Sequence, residues 1–510
     1  MGNALYDGLF GRHAGAATPF LILPGGTILT HAAFLARAAR FAHALTGLGM
    51  GPGDRLAAQV GKSADALALY AACVQAGLVF LPLNPAYTPA EVDYFVGDAG
   101  AALLLCAPDD APALAEVAVR HGAQVQTLGT DGTGTLPDLA EGQPDGFTPV
   151  PRGMDDLAAI LYTSGTTGRS KGAMMSARNL LSNAQALVGL WRFTPADVLL
   201  HALPIFHTHG LFVATNVTLL AGGAMILLPR FDVDAVLAHL PRASTMMGVP
   251  TFYTRLLDDP RLGAAATAHM RLFISGSAPL LAQTHRDWTA RTGQRILERY
   301  GMTETNMITS NSYAGDRRPG TVGQPLPGVE VRLCDAQGDP VAAGAIGGIE
   351  VRGPNVFQGY WQMPDKTAQD MRPDGWFITG DLGQMSEDGY LTIVGRAKDL
   401  IISGGYNIYP VEVEEALDAL PGILESAVIG LADPDLGEIA IAVVVPAPGT
   451  TPDPDGWRAA LGTSLARYKQ PRRIEVVDSL PRNAMGKVQK AALRARFDGA
   501  KAPAVTKPDH

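Results

Sequence analysis

At 510 residues, of which 47% are hydrophobic and 17% charged, the chain has length for about three domains and too much apolar content to be disordered over most of its length. Forty Lys and Arg against 49 Asp and Glu leave a net charge of −9, so its overall charge favours neither nucleic acid nor an anionic membrane as partner. Cys73, Cys106 and Cys334 are widely spaced, with no CxxC pair and no zinc-like Cys/His spacing, which fits a reducing compartment.

The N-terminal residues Met1 to Asp7 lack a basic region followed by an apolar core, and Tyr6 stands where a myristoylation signal needs Ser or Thr. A cytoplasmic location is expected. The pattern from Thr30 to Leu48 predicts a helix. The apolar stretch Ala66 to Leu83, broken by Gln75, Gly77 and Pro82, predicts a buried helix running into a strand rather than a membrane span. Short apolar strands are expected at Leu78 to Leu81 and Ala102 to Leu105, and this alternation predicts a partly parallel sheet. Fifty-eight Gly and 37 Pro imply many turns between short elements. Residues 115 to 154 read as a linker-like surface stretch, after which Leu157 to Tyr162 resumes as a buried strand.

Further on, Val329 to Leu333 and Ile349 to Arg352 alternate with period two, and Gly375 to Gly395 reads as strand, turn at Glu387-Asp388-Gly389, and strand. A helix opens at Pro410 and Glu412 and runs to about Leu420, followed by strands near Glu425 to Gly430 and Ile439 to Val445. The expected class is α/β. Residues 1–396 form a large N-terminal domain of αβ layers plus a small β-rich part, 397–500 a small α+β C-terminal domain, and 501–510 a frayed tail.

The run Tyr162-Thr163-Ser164-Gly165-Thr166-Thr167-Gly168-Arg169-Ser170-Lys171-Gly172 follows a buried strand and packs hydroxyls, glycines and a Lys into one turn. Backbone N–H groups and hydroxyls in such a loop can wrap phosphates. It is not the P-loop pattern, because Lys171 is followed by Gly where that motif requires Ser or Thr.

With this loop the sequence resembles the acyl-adenylate-forming enzymes, which include acyl-CoA synthetases, luciferase-type enzymes and the adenylation domains of peptide synthetases. Further matches come in the family's order: Ser275-Gly276-Ser277-Ala278-Pro279, Glu298-Arg299-Tyr300-Gly301-Met302-Thr303-Glu304, Thr379-Gly380-Asp381, Gly395-Arg396-Ala397-Lys398-Asp399, and Pro481-Arg482-Asn483-Ala484-Met485-Gly486-Lys487. The resemblance implies that a carboxylate attacks the α-phosphate of ATP, a reaction that brings two anions together and needs cationic help. It implies Mg²⁺ as cofactor, held by Glu304, with Thr303 at the α-phosphate and Lys487 as the catalytic lysine. ATP would be bound by Thr163, Ser164, Gly165, Thr166, Thr167, Gly168 and Lys171, by Ser277, Ala278 and Pro279, and by the run Glu298, Arg299, Tyr300, Gly301, Met302 and Thr303. Asp381 would accept from the ribose hydroxyls with Arg396 in support, since a carboxylate makes charge-assisted hydrogen bonds to a diol. The family's C-terminal domain is mobile, which makes Lys398 the hinge and sets Gly404, Gly405 and Tyr406 along the thiol tunnel. Lys487 is also an expected site of regulatory acetylation, which would remove its charge.

No carrier domain follows position 487, so free coenzyme A is the expected thiol. The segments Leu203 to Gly210, Met247 to Arg255 and Thr305-Asn306-Met307 should line the acyl pocket, and the wording in and around them is similar to that of malonyl-CoA synthetases. A second carboxylate on the acid would need a fixed cation when buried. Arg255 is the first candidate for it and Arg286 the second, with His207 beside the reacting carboxylate and Met307 in the pocket wall. The expected function is therefore a malonate–CoA ligase that also accepts methylmalonate. The alternatives are a CoA ligase for another short-chain or aromatic acid and, from another class, a non-catalytic acyl or nucleotide sensor.

Overall fold

A computed structural model describes residues 2–163, 170–404, 406–434, 436–462, 464–483 and 486–498. The chain separates into two compact units, residues 1–331 with 351–377, and residues 332–350 with 378–510. This division groups residues 378–396 with the later unit, while the sequence set its boundary at 396/397. The reason is pairing: Phe377–Met385 and Leu391–Arg396 are antiparallel partners, with Asp381 opposite Arg396, and they continue a sheet begun by Glu330–Cys334 and Ile346–Arg352.

The first unit holds two sheets. One has six described strands in the order Gln124–Thr127, Leu103–Cys106, Arg55–Gln59, Val79–Pro82, Leu157–Thr163 and Lys171–Ser176. Its inner members are parallel and buried on both faces, which is why they read as continuous apolar runs. The other has nine described strands, with Thr245–Gly248 and Val198–His201 near its middle and Leu272–Ser275 and Ile296–Met302 to one side. Helices cover these sheets. In Ala64–Ala76 every residue is buried, and the Ser63 side chain caps its start by accepting from the Ala66 N–H, a cap worth about 1 kcal/mol. The Ala66 to Leu83 stretch is thus a core helix feeding the strand Val79–Pro82. No helix among the described residues is long and apolar enough to cross a membrane.

The expected linker at 115–154 is a correction. It contains the end of the helix Ala111–His121, the strand Gln124–Thr127 and the helix Thr135–Ala140. That strand lies at the sheet edge and only its last residue is buried, so its polar Gln-Val-Gln-Thr sequence carries little apolar signal.

In the second unit Ile423–Asp433 and Gly437–Pro446 form a long hairpin in a five-stranded sheet, with Gly437–Pro446 as the strand that joins the others. Val413 and Leu417, on the helix Pro410–Asp418, pack on one face with Val428, Ala442 and Trp457. Leu493 and Phe497, on the helix Lys490–Phe497, pack on the other with Ile429 and Val443. The expected tail at 501–510 lies outside the described residues.

Candidate active site

The Ser/Thr/Gly loop joins two antiparallel strands whose ends, Thr163 and Lys171, stand directly opposite each other. Ser164, Gly165, Thr166, Thr167 and Gly168 lie outside the described residues. The Lys171 ammonium sits 4.3 Å over the Tyr360 ring and 3.7 Å from Asp370. Partial burial lowers its pKa, with Asp370 opposing the shift.

Glu304 is 5% exposed and accepts from the Tyr360 hydroxyl at 3.0 Å and from Thr163 Oγ1 at 3.5 Å. Burial and the Glu304 charge raise the Tyr360 phenol far above its ordinary value, which keeps it a donor to that carboxylate. Thr303, partly buried, precedes Glu304 in the turn where the Thr305 N–H donates to the Met302 carbonyl. The combination of a hard carboxylate oxygen, two neighbouring hydroxyls and a Lys fits Mg²⁺ delivered with phosphates, an ion that takes few protein ligands. No group of three or more His, Cys, Asp or Glu among the described residues is arranged for a metal ion.

The strand Ile296–Met302 runs beside Leu272–Ser275, with Ser275 opposite Glu298. Glu298 is buried with its carboxylate 3.2 Å from His285 Nδ1, and burial raises its pKa. Its side chain is therefore engaged within the first unit, by a His partner 13 residues away that no local motif announces. Arg299, 3% exposed, is a sharper departure: its Nε and Nη2 have no hydrogen-bond partner among the described residues. Burial lowers it to about 9, a large shift for a guanidinium. Gly276 makes its position possible, because a Cβ there would lie 2.4 Å from the guanidinium carbon. Ser277 then takes φ +72°, a left-handed conformation that strains a non-Gly residue and is characteristic of functional turns. Ala278 is partly buried and Pro279 exposed after it; Tyr300, Gly301 and Met302, at the end of the neighbouring strand, are partly buried.

Next to this strained turn, Ser277 Oγ is 3.2 Å from His209 Nδ1. His209 is buried, and its Nε2 lacks a partner among the described residues. Burial first, then Arg299, pushes its pKa well below the ordinary value. His207 is lowered to about 4 by burial, so its ring is neutral near pH 7. Met307 is 2% exposed and exchanges backbone hydrogen bonds with the Asn183 side chain.

Neither Arg255 nor Arg286, the two candidates for the distal clamp, is a buried cation in this structure. Arg255 is exposed on the helix Pro250–Leu257, whose buried face is Tyr253 and Leu256. Arg286 is exposed on the helix Ala282–Thr292 and donates locally, to Gln283 Oε1 at 2.8 and 3.2 Å. Helical periodicity turns both positions away from the core. The usable signal was the Glu-Arg pair inside the apolar strand pattern of Ile296–Met302, since charge there must be partnered or functional.

In the second unit Asp381 is 4% exposed and pairs with Arg396 at 2.6 Å; its backbone N–H donates to Thr379 Oγ1. Lys487 lies in a tight turn, its N–H donating to Asn483 Oδ1 at 3.0 Å while its carbonyl accepts from the Asn483 N–H. The residue as a whole is exposed, yet partial desolvation of its ammonium and then the Arg396 charge lower its pKa, against Asp381 and Asp399. Lys398 is exposed in the turn Ala397–Asp399, which Arg494 braces through Asp399 at 2.7 Å. Gly404 is exposed, Gly405 is outside the described residues, and Tyr406 is 59% exposed with its ring 4.8 Å from that of Tyr468.

Known proteins resemble the chain at both units. A family model described as AMP-binding enzyme matches residues 12–361, and one described as AMP-binding enzyme C-terminal domain matches residues 412–487. A feruloyl-CoA synthase of Amycolatopsis is 39% identical over 93% of this chain and 95% of its own length. A malonate–CoA ligase of Arabidopsis thaliana is 35% identical over 89% of this chain and 79% of its own. The crystal structure of ATP-bound MatB from Rhodopseudomonas palustris superposes with a TM-score of 0.96 at 55% identity, covering 98% of this chain and all of that one.

Proposed function

The chain belongs to the AMP-binding enzyme family, and from that premise we propose that it is a malonate–CoA ligase, converting ATP, malonate and CoA into malonyl-CoA, AMP and diphosphate. A carboxylate oxygen of malonate attacks the α-phosphorus and diphosphate leaves. The CoA sulfur then attacks the acyl carbon of malonyl-adenylate, its proton passes to solvent or base, and AMP departs.

The observation that carries the choice of acid is Arg299, buried with two donor atoms open among the described residues. An unpartnered buried guanidinium is costly unless a ligand completes it, and a planar carboxylate matches its fork. We assign Arg299 the distal carboxylate, in place of Arg255 and Arg286, with Ser277 and His209 beside it. His207, neutral near pH 7, is assigned to the reacting carboxylate as a hydrogen-bond partner that leaves its nucleophilic charge intact. Methylmalonate keeps both carboxylates and is the expected second substrate.

Asp381 is assigned to the ribose hydroxyls, Lys487 to the oxygens that gain charge during adenylation, and Thr303 to the α-phosphate. The loop around Thr163 and Lys171 is assigned to the other phosphates, with Ser277, Ala278, Pro279 and Tyr300 at the adenine end. Glu304 would hold Mg²⁺, which when bound neutralises phosphate charge. Lys398 is the proposed hinge, Gly404 and Tyr406 flank the proposed thiol path, and Lys487 is a proposed acetylation site. The three cysteines are buried and unbridged, which supports a cytoplasmic location.

A ligase for an aromatic acid is the second reading, favoured by the 39% identity to feruloyl-CoA synthase. Against it, an apolar ring would leave Arg299 buried without a counter-charge. The deciding experiment is CoA-dependent AMP formation with malonate, methylmalonate, acetate and ferulate at equal concentrations with Mg-ATP. A preference for malonate of about a hundredfold or more is expected, on the scale by which sites built to pair a polar group reject analogues lacking it. Preference for ferulate or acetate overturns the malonate assignment.

A further inference from the structure

His201 ends the central strand Val198–His201, and the chain then runs through Leu203-Pro204-Ile205-Phe206-His207-Thr208 before the helical turn that begins at His209. This segment carries the histidines assigned to the acid, yet it is neither strand nor regular helix, so its shape must be held by side chains. Lys62 does so from the other sheet's layer. It lies just after the strand Arg55–Gln59, and its Nζ is 2.9 Å from His201 Nδ1, 2.8 Å from the His201 carbonyl and 2.8 Å from the Leu203 carbonyl. The same imidazole continues the chain of contacts. His201 Nε2 is 2.9 Å from the Gly210 carbonyl, which also accepts from Thr215 Oγ1.

A carbonyl can only accept, so Nε2 must donate to Gly210, and Lys62 must donate to both carbonyls. The 2.9 Å contact between Nζ and Nδ1 needs one proton more than the neutral groups can place there, so the geometry calls for one positive charge on the pair, against burial, which pushes Lys62 and His201 below their ordinary values. With the charge on Lys62, its third N–H meets the Nδ1 lone pair; with the charge on His201, Nδ1–H meets the amine lone pair. Either arrangement keeps all four contacts, so the clamp grips the segment at its start and at its end. Gly210 lets the end close: a Cβ there would lie 2.0 Å from the Pro204 carbonyl oxygen. Closure sets His209 Nδ1 within 3.2 Å of Ser277.

We infer that Lys62, acting through His201, is a positioning residue that fixes the acid-binding segment 203–210 in its working shape. The inference rests on the assignment of His207 and His209 to the acid, but not on which acid it is. Steady-state kinetics of Lys62→Met should therefore use whichever acid the unaltered enzyme turns over fastest, so that failure of malonate as substrate leaves this test intact. The expected result is a rise in acid KM or fall in kcat of about ten- to a hundredfold, the scale of a displacement near 1 Å, while the KM for ATP stays within about twofold. Lys62→Arg, which keeps the charge and donors, should recover part of the loss. Lys62→Met combined with His201→Leu should cost no more than the worse single change, because one clamp can be lost only once. Should Lys62→Met yield no folded protein, the same split is read in His201→Gln. Acid kinetics unchanged within twofold, or acid and ATP constants worsening together, overturns the inference.

Discussion

Arg299 and Asp381 are both buried charged groups, but they are balanced differently. Asp381 has its counter-charge in place, with Arg396 at 2.6 Å, while Arg299 has two open donors among the described residues. A pair already balanced is stable without ligand and is suited to a partner common to every turnover, such as the ribose of ATP. A buried cation without its counter-charge costs stability until the right anion arrives, and so discriminates between acids. The comparison sets an open charge proposed for acid selectivity, Arg299, against a closed one proposed for the ribose, Asp381.

The largest effect should come from breaking the unbalanced charge. Arg299→Met is expected to lower kcat/KM for malonate on the order of 10³-fold, from the penalty for leaving the distal carboxylate buried and unpaired. Acetate, which has no second carboxylate, should lose far less. The same substitution should leave thermal stability unchanged or raised, because it removes an uncompensated buried charge. Equal losses for malonate and acetate, with a lowered melting temperature, would show that Arg299 serves the fold instead.

Lys487→Ala should come next, slowing adenylation on the order of 10²- to 10³-fold, as for other preorganised donors at developing charge. Thioester formation from supplied malonyl-adenylate and CoA should be nearly spared, because no diphosphate departs in that step. pH sharpens the point. The ammonium must be protonated to act, and desolvation together with Arg396 lowers its pKa; adenylation should therefore fall as pH rises through that lowered value, below the ordinary lysine range. His207, lowered to about 4, should contribute no further limb between pH 6 and 8. An adenylation rate that stays flat from pH 7 to pH 11 would remove Lys487 from the protonated role.

Asp381→Asn is expected to be smaller, raising the KM for ATP about tenfold, the value of one charge-assisted contact, with acid selectivity unchanged. A shift in the malonate-to-acetate ratio would break the division of labour between the two regions.

The candidate residues for the nucleotide stand out in the sequence because they lie in local strings: Thr163 and Lys171 flank one loop, and Glu304 closes one motif. The α/β class was legible for a similar reason, since buried parallel strands such as Leu103–Cys106 announce themselves as apolar runs. The acid end depends on distance relations that no string contains. Arg299 is buried because its strand lies beside Leu272–Ser275 and because Gly276 leaves room for its guanidinium. Tyr360 reaches Glu304 from 56 residues away, and Lys62 reaches His201 across 139. The edge strand Gln124–Thr127 was missed for a different reason, having too little buried surface to need an apolar sequence.

The smallest effects are expected at the two arginines that local context singled out. Arg255 and Arg286 are exposed on the outer sides of their helices, and Arg286 donates to Gln283 one turn away. Each changed to Ala should alter stability by about 0.5 kcal/mol or less, as is usual for surface positions without special contacts. Malonate kcat/KM should stay within about twofold, because an exposed guanidinium is already solvated and offers a substrate anion little net gain. The measurement discriminates because Arg255 lies one turn from Phe252, which is stacked on Phe231. If Arg255→Ala weakened malonate selectively while Arg299→Met did not, the clamp would be assigned to the helix Pro250–Leu257, and burial would have been the wrong guide to selectivity.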